Sequence, residues 1–145
     1  MYQPVHNRDA ARTPMPWTSA DGAGFTNAGV EPWLPFGDLA AYNVADQRAD
    51  PRSTLHFTRD LLALRREHED LRRGDFVDAG SYGNVWTYRR GEYVHVLLNF
   101  GPTAESVPLP GPGRVLLDTE RTLDGEEVAD SVEVEGWGGL VVVLD

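Results

Sequence analysis

Two prolines at alternate positions, Pro14 and Pro16, constrain this chain more than any other feature. They sit in the run Arg8-Asp9-Ala10-Ala11-Arg12-Thr13-Pro14-Met15-Pro16-Trp17. Each proline fixes its own φ and pushes the residue before it, Thr13 or Met15, out of the helical region. The stretch is therefore extended and stiff. It cannot be helical, and it makes a poor ladder strand because a proline has no backbone donor. A rigid irregular segment carrying two arginines, an aspartate and a tryptophan is costly unless it packs against something or lines a site. Ala23-Gly24-Phe25-Thr26 and Glu31-Pro32-Trp33-Leu34-Pro35 add further aromatics and prolines without an apolar period.

The chain reads as three segments. Residues 1–49 form an irregular loop rich in Pro, Gly and aromatics, and a loop of that length is unusual inside an independent domain. Residues 50–73 read as one long α-helix, with Asp50 as cap and Pro51 at the first position. Phe57, Leu61, Leu64, His68 and Leu71 recur at helical spacing, and Leu55 and Leu62 widen the stripe. Arg72 and Arg73 suit the negative end, and Gly74 is expected to stop the helix in a left-handed conformation.

Residues 75–145 read as strands. Val85 to Arg90 and Tyr93 to Phe100 flank a turn at Gly91, a hairpin signal. Glu105 to Leu109 follows, Pro110-Gly111-Pro112-Gly113 interrupts, and Arg114 to Asp118, Ser131 to Glu135 and Leu140 to Leu144 complete the set. Ser131-Val132-Glu133-Val134-Glu135 alternates, so one face meets water. Leu140-Val141-Val142-Val143-Leu144 does not alternate and is expected to be buried on both faces. The expected fold class is mainly β with one long α-helix: irregular N-terminal loop, helix, then an antiparallel β-sandwich.

Arg8-Asp9-x-x-Arg12-Thr13-Pro14-Met15-x-Trp17, followed by Ala23-Gly24-Phe25, Pro32-Trp33-Leu34-Pro35 and Tyr42-Asn43-Val44, resembles a late catalytic-domain loop. The loop is that of the α-glucosidase branch of glycoside hydrolase family 13, which includes oligo-1,6-glucosidases, trehalose synthases and sucrose isomerases. The resemblance runs on through Asp50 to Phe57, Leu61 to Arg66, Arg73-Gly74-Asp75-Phe76 and Leu97-Leu98-Asn99-Phe100, in order, over nearly the whole chain. It implies that residues 1–74 are the end of a catalytic (β/α)8 barrel, loop 1–49 and last helix 50–73. Residues 75–145 would be the C-terminal antiparallel β-sandwich domain.

Enzymes of this family are retaining, with one carboxylate as nucleophile and another as acid. In the family these groups, and a third Asp in an Asn-His-Asp motif, precede the Arg-Thr-Pro-Met region. Seven residues precede Arg8 here, and His6-Asn7-Arg8-Asp9 has the wrong order for that motif. The resemblance thus implies a C-terminal quarter of a glucosidase with no catalytic carboxylates, no cofactor and no activity alone. An α-glucoside or oligosaccharide is the expected substrate of the intact enzyme. A barrel subunit or self-association would cover the helix stripe and the loop tryptophans. Arg12 is the candidate substrate-binding residue: it binds sugar hydroxyls or pairs with a barrel carboxylate, or Arg8, Asp9 and Arg12 simply pin the loop by ion pairs. The alternatives are an accessory carbohydrate-binding module, which a solvent-exposed aromatic pair on one sheet face would support, and a subunit-docking module.

Other features narrow the classes. A net charge of −10 disfavours nucleic acid and anionic membrane as partners. With no Cys, disulfide scaffolds and thiolate metal sites are excluded. His6, His56, His68 and His95 lack metal-ligand spacing, so no metal is expected. All 13 basic residues are Arg, which reads as coding bias. No run reaches membrane-spanning length and no signal-like stretch opens the chain, so a cytoplasmic location is expected. Trp86 and Tyr88 alternate on a strand and read as core; Trp137 reads as core or turn packing. Glu67, Glu69 and Asp70 read as a solvated helix face, and Asp124-Gly125 with Glu126-Glu127 as a charged turn.

Overall fold

A computed structural model describes residues 8–145; His6 and Asn7 lie outside the described residues. The chain divides into two compact units, one running to His56 and the other spanning Phe57–Asp145.

Among its described residues the first unit is irregular, with turns closed by backbone hydrogen bonds. A 3-10 turn at Asp9–Ala11 leads into the extended proline run. Three consecutive residues with positive φ, Gly22 (72°), Ala23 (51°) and Gly24 (69°), fold the chain back sharply. The carbonyl of Ala23 thereby accepts the N–H groups of Trp17 and Thr18, at 2.9 and 3.2 Å. The expectation that 1–49 lacks regular structure needs correction, because Val44–Ala49 forms a helix, α1. Asn43 explains it: its side chain caps the Asp46 N–H at 2.9 Å and donates to the Asp46 carboxylate and the Leu39 carbonyl. The carbonyls of Pro16 and Trp17 accept from Val44 and Ala45, so the proline run anchors the start of α1.

The single helix expected over 50–73 is two helices, α2 (Thr54–Glu67) and α3 (Glu69–Arg73), broken at His68, whose backbone is extended (φ −93°, ψ 115°). Its start is also later than expected. Asp50 spends its carboxylate on the N–H of Arg52, and Ser53 Oγ accepts from His56, three residues on, as an N-cap does. Gly74 is not left-handed (φ −59°). It is glycine because a Cβ there would lie 2.5 Å from the carbonyl of Asp70 and the nitrogen of Gly91.

The second unit is mainly antiparallel sheet. Its strands are β1 (Phe76–Tyr82), β2 (Val85–Arg90), β3 (Val94–Asn99), β4 (Glu105–Pro108), β5 (Gly113–Asp118), β6 (Glu127–Val128), β7 (Ser131–Val134) and β8 (Gly139–Leu144). Six of them form one sheet in the order β1-β2-β3-β8-β5-β6, and β4 pairs with β7 in a second. Val85, Leu97, Val115, Leu140 and Val142 of the large sheet meet Val107, Val132 and Val134 of the small one in a buried core. The sandwich is lopsided, since two strands cannot cover six. On the other face Val94, Leu117 and Val141 form a second cluster, against which Phe57, Leu64 and Leu71 pack. Strand β8 therefore supplies both cores, Leu140 and Val142 to one and Val141 to the other, as its unbroken apolar run requires.

Arg121 ties α2 to the loop after β5. It donates to Asp60 at 2.7 Å and to Asp124 at 2.6 Å, and both carboxylates hold its guanidinium above the ordinary arginine range, Asp60 most strongly. Asp124 also accepts the N–H of Asp118, so it is a structural hub rather than surface charge. No helix among the described residues is long and apolar enough to cross a membrane.

Candidate functional site

The first candidate site belongs to the first unit. The 3-10 turn closes with the N–H of Arg12 on the carbonyl of Asp9, at 2.9 Å, so Arg12 leaves the turn just as the stiff Thr13-Pro14 segment begins. Pro14 and Leu34 are buried and hold the two sides of a cleft of about 290 Å³. Arg12 lines this cleft with Met15, Phe25 and Trp33. Phe25 packs edge-on against Phe36, with ring centres 6.3 Å apart. Trp33 is 88% exposed, and Met15, Trp17, Phe25 and Tyr42 are exposed as well. The cleft is thus one guanidinium among apolar faces, and no Asp or Glu lines it.

The second lies on the large sheet. Trp86 and Tyr88 alternate with Val85 and Thr87 along β2, and Val85 points into the core between the sheets. Trp86 and Tyr88 therefore occupy the opposite face, where Trp86 pairs with Leu98 and Tyr88 with Val96. Phe76 of β1 joins them. Its ring centre lies 4.9 Å from that of Tyr88 and 6.1 Å from that of Trp86, and Trp86 lies 4.9 Å from Tyr88. Trp86 is 39% exposed and Phe76 more so, which corrects the expectation of a core position. Alternation gives the face of a residue, not whether that face is covered. Beside these rings an apolar groove of about 320 Å³ runs between Phe57, Leu61 and Leu71 and the strand residues Val96, Leu98 and Val141.

Trp137 is 70% exposed and sits in the left-handed region (φ 60°) between Gly136 and Gly138, so it belongs to a turn, not a core. His68 stands at the helix break, half-buried, its carbonyl accepting from Arg72. Asp70 is not merely solvated: its carboxylate receives the N–H groups of Glu92 and Tyr93. Among the described residues no group of three or more His, Cys, Asp or Glu is placed to hold a metal.

The model of the α-amylase catalytic domain matches residues 1–74, and that of a domain of unknown function, DUF3459, matches residues 72–141. The probable α-glucosidase of Rhizobium meliloti (strain 1021) is 36% identical over 94% of this chain and 25% of its own. The oligo-1,6-glucosidase of Parageobacillus thermoglucosidasius is 30% identical over 92% of this chain and 25% of its own. Among solved structures, the trehalulose synthase MutB of Pseudomonas mesoacidophila MX-45 superposes with a TM-score of 0.82 at 31% identity, covering 96% of this chain and 26% of that one. The chain spans about a quarter of the length of these relatives and matches their C-terminal portion.

Proposed function

Because the chain belongs to the α-amylase family, glycoside hydrolase family 13, we propose that it works as the C-terminal part of an α-glucosidase-like enzyme and turns over no glucoside alone. In this reading residues 1–74 complete a catalytic barrel and residues 75–145 form the accessory β-sandwich. One observation carries it: the cleft at Arg12 offers a guanidinium and apolar surfaces but no carboxylate. Retaining chemistry needs two carboxyl groups about 5–5.5 Å apart, flanking the scissile bond. A barrel would supply those, and this loop would supply a wall. Arg12 then donates hydrogen bonds to glucosyl hydroxyls, with a planar fork that suits vicinal oxygens. The exposed rings around it would be covered by the barrel and substrate, and the groove beside Phe57 and Leu61 by the barrel body.

The test is a graft. Residues 1–145 replace the matching C-terminal portion of the Rhizobium meliloti relative, and the chimera is assayed on maltose, isomaltose and sucrose beside the isolated chain. The chimera is expected to turn over an α-glucoside, and Arg12→Ala to raise its KM more than it lowers kcat. A folded but inactive chimera, or turnover by the isolated chain lost on mutating one of its own carboxylates, overturns the reading.

A second reading has one observation in its favour. The Phe76, Trp86 and Tyr88 rings form an open apolar surface on a sheet face, which suits the face of a sugar ring. A free-standing sugar-binding module would use it. Quenching of Trp86 fluorescence by maltose in the isolated chain, abolished in Tyr88→Ala, would favour this module over the enzyme part.

A further inference from the structure

The two-stranded layer covers Val85 of β2 but not the whole inner face of the large sheet, and a cavity of about 450 Å³ opens beside Thr87 and Arg89. That volume falls within the roughly 300–1,000 Å³ of small-ligand pockets. Its two walls differ in chemistry. One is apolar and comes from β4 and the residues after it: Val107, Pro108, Leu109 and Pro110, with Leu97 and Leu144 of the large sheet at its floor. The other carries Asp78, Tyr82, Thr87, Arg89 and His95.

The polar wall is a product of strand register. Arg89 pairs with Val77 on β1, and the register then slips before Gly80 pairs with Thr87. The slip is a bulge at which Asp78 takes a positive φ of 54°, a conformation that costs energy for any residue with a Cβ. The bulge brings Asp78 onto Arg89, whose Nε and Nη2 both donate to Oδ2, at 2.9 and 2.6 Å. The Arg89 Nη1 meanwhile donates to the carbonyls of Gly91 and Glu92. Arg89 is thus spent on holding the bulge and the turn, while Asp78 Oδ1 is left with no partner among the described residues. The same is true of Thr87 Oγ1, the Tyr82 hydroxyl and both ring nitrogens of His95. Four groups able to hydrogen-bond therefore converge on one cavity, opposite an apolar wall.

We propose that this cavity is a binding site for a neutral glycosyl unit, separate from the Arg12 loop. A pyranose ring has an apolar face and a rim of hydroxyls, and the two walls match those two parts. Charge argues against an ionic ligand. Arg89 already neutralises Asp78, and Glu92 adds a further negative charge at the mouth, which repels anions. Burial and the nearby Arg89 also keep His95 uncharged near neutral pH. The residues do not include the acidic cluster a cation would need. Tyr82, 46% exposed, offers its ring edge and hydroxyl at the entrance.

The site is tested on the whole chain by following backbone amides in ¹⁵N NMR during titration with maltose, isomaltose and, as the anionic control, inorganic phosphate. The expected result is saturable shifts at Asp78, Tyr82, Thr87, Arg89 and His95 with either sugar and none with phosphate. Thr87→Val keeps the side-chain volume and removes one hydroxyl, and Tyr82→Ala removes another from the rim; each is expected to weaken binding about three- to tenfold. Neither touches the Asp78–Arg89 pair, and the unchanged spectrum of β5 and β8 reports that the fold is kept. Absence of shifts in this cavity, or affinities that neither substitution changes, overturns the proposal. Shifts confined to Phe76, Trp86 and Tyr88 overturn it too while favouring the sugar-binding module. None of these outcomes bears on whether the chain completes a barrel enzyme.

Discussion

The carboxylate of Asp70 accepts the backbone N–H of Tyr93 at 3.1 Å, through the same oxygen that takes the N–H of Glu92. A residue on the short helix α3 thereby closes the turn between β2 and β3. The approach is so close that neither Gly74 nor Gly91 has room for a Cβ: at Gly91, which also has a φ of 61°, the Cβ would run into the Asp70 carboxylate itself.

Gly91→Ala is therefore expected to be among the most damaging small substitutions in the chain. It combines a left-handed alanine, about 1–2 kcal/mol, with a collision that forces α3 off the turn. Asp70→Ala removes the acceptor but leaves two solvent-accessible donors, so its expected cost is smaller, about 1 kcal/mol. Urea denaturation of the two variants and of the double variant checks this. In the double variant the collision is gone, so the two costs should sum to more than the measured loss.

Helix α2 offers a sharper contrast along one stripe. Leu64 packs on the Val94, Leu117 and Val141 cluster, whereas Leu62 is 55% exposed. Leu64→Ala is expected to cost about 2–3 kcal/mol, toward the low end for a leucine because the site is only half-buried. Leu62→Ala is expected to cost under about 0.5 kcal/mol. Thermal melts of both variants decide it. Equal effects would mean that α2 does not dock on the sheet as described.

Much of this was legible in the sequence, for reasons that can be named. The five apolar residues Leu140 to Leu144 do not alternate, and only a strand with a layer on each side tolerates that. The Gly91 hairpin was legible because both flanking runs are β-branched and aromatic. Strand β1 was not, since Asp78, Ala79, Gly80 and Ser81 are poor strand formers that only pairing with β2 makes extended. The break at His68 was hidden because Leu64 and Leu71 still reach the same cluster across it, so the apolar period survives the break. Helix α1 did leave a trace, Asn43 followed three residues later by Asp46, that the surrounding prolines and glycines obscured. The Asp78–Arg89 pair left none, because a bulge in the register brings it together.

Asn43 is the polar centre of the first unit, 1% exposed and bonded to Leu39, Asp46 N–H and the Asp46 carboxylate. Asn43→Ala removes a helix cap and leaves its part-buried partners at Leu39 and Asp46 unpaired, and is expected to destabilise this unit by about 1–2 kcal/mol. Hydrogen exchange at Asp46 and Gln47 reads the loss directly, and exchange in β3 and β8 serves as the internal reference. Unchanged protection of α1 would show that the proline run, rather than Asn43, holds it.

His95 gives the chain a pH dependence whose sign follows from its surroundings. Burial lowers its pKa below the ordinary 6.5, the positive charge of Arg89 lowers it further, and Asp78 opposes them. In the unfolded chain the same imidazole accepts its proton near pH 6.5, before the folded one does. Below that pH the unfolded state holds more protons than the native state, so acidification favours unfolding. The contribution of His95 is therefore complete above about pH 6.5 and declines as the pH falls through that value toward the lowered folded pKa. Carboxylates titrate mostly near pH 4 and add their own loss lower down. The melting temperature is thus expected to fall between about pH 7.5 and 5.5, and to fall less in His95→Gln, which keeps a polar side chain but cannot titrate. A direct NMR titration of the His95 ring supplies the second readout. A midpoint at or above 6.5 would mean that the ion pair with Arg89 draws Asp78 less tightly than the geometry indicates, leaving its charge free to hold the proton on His95.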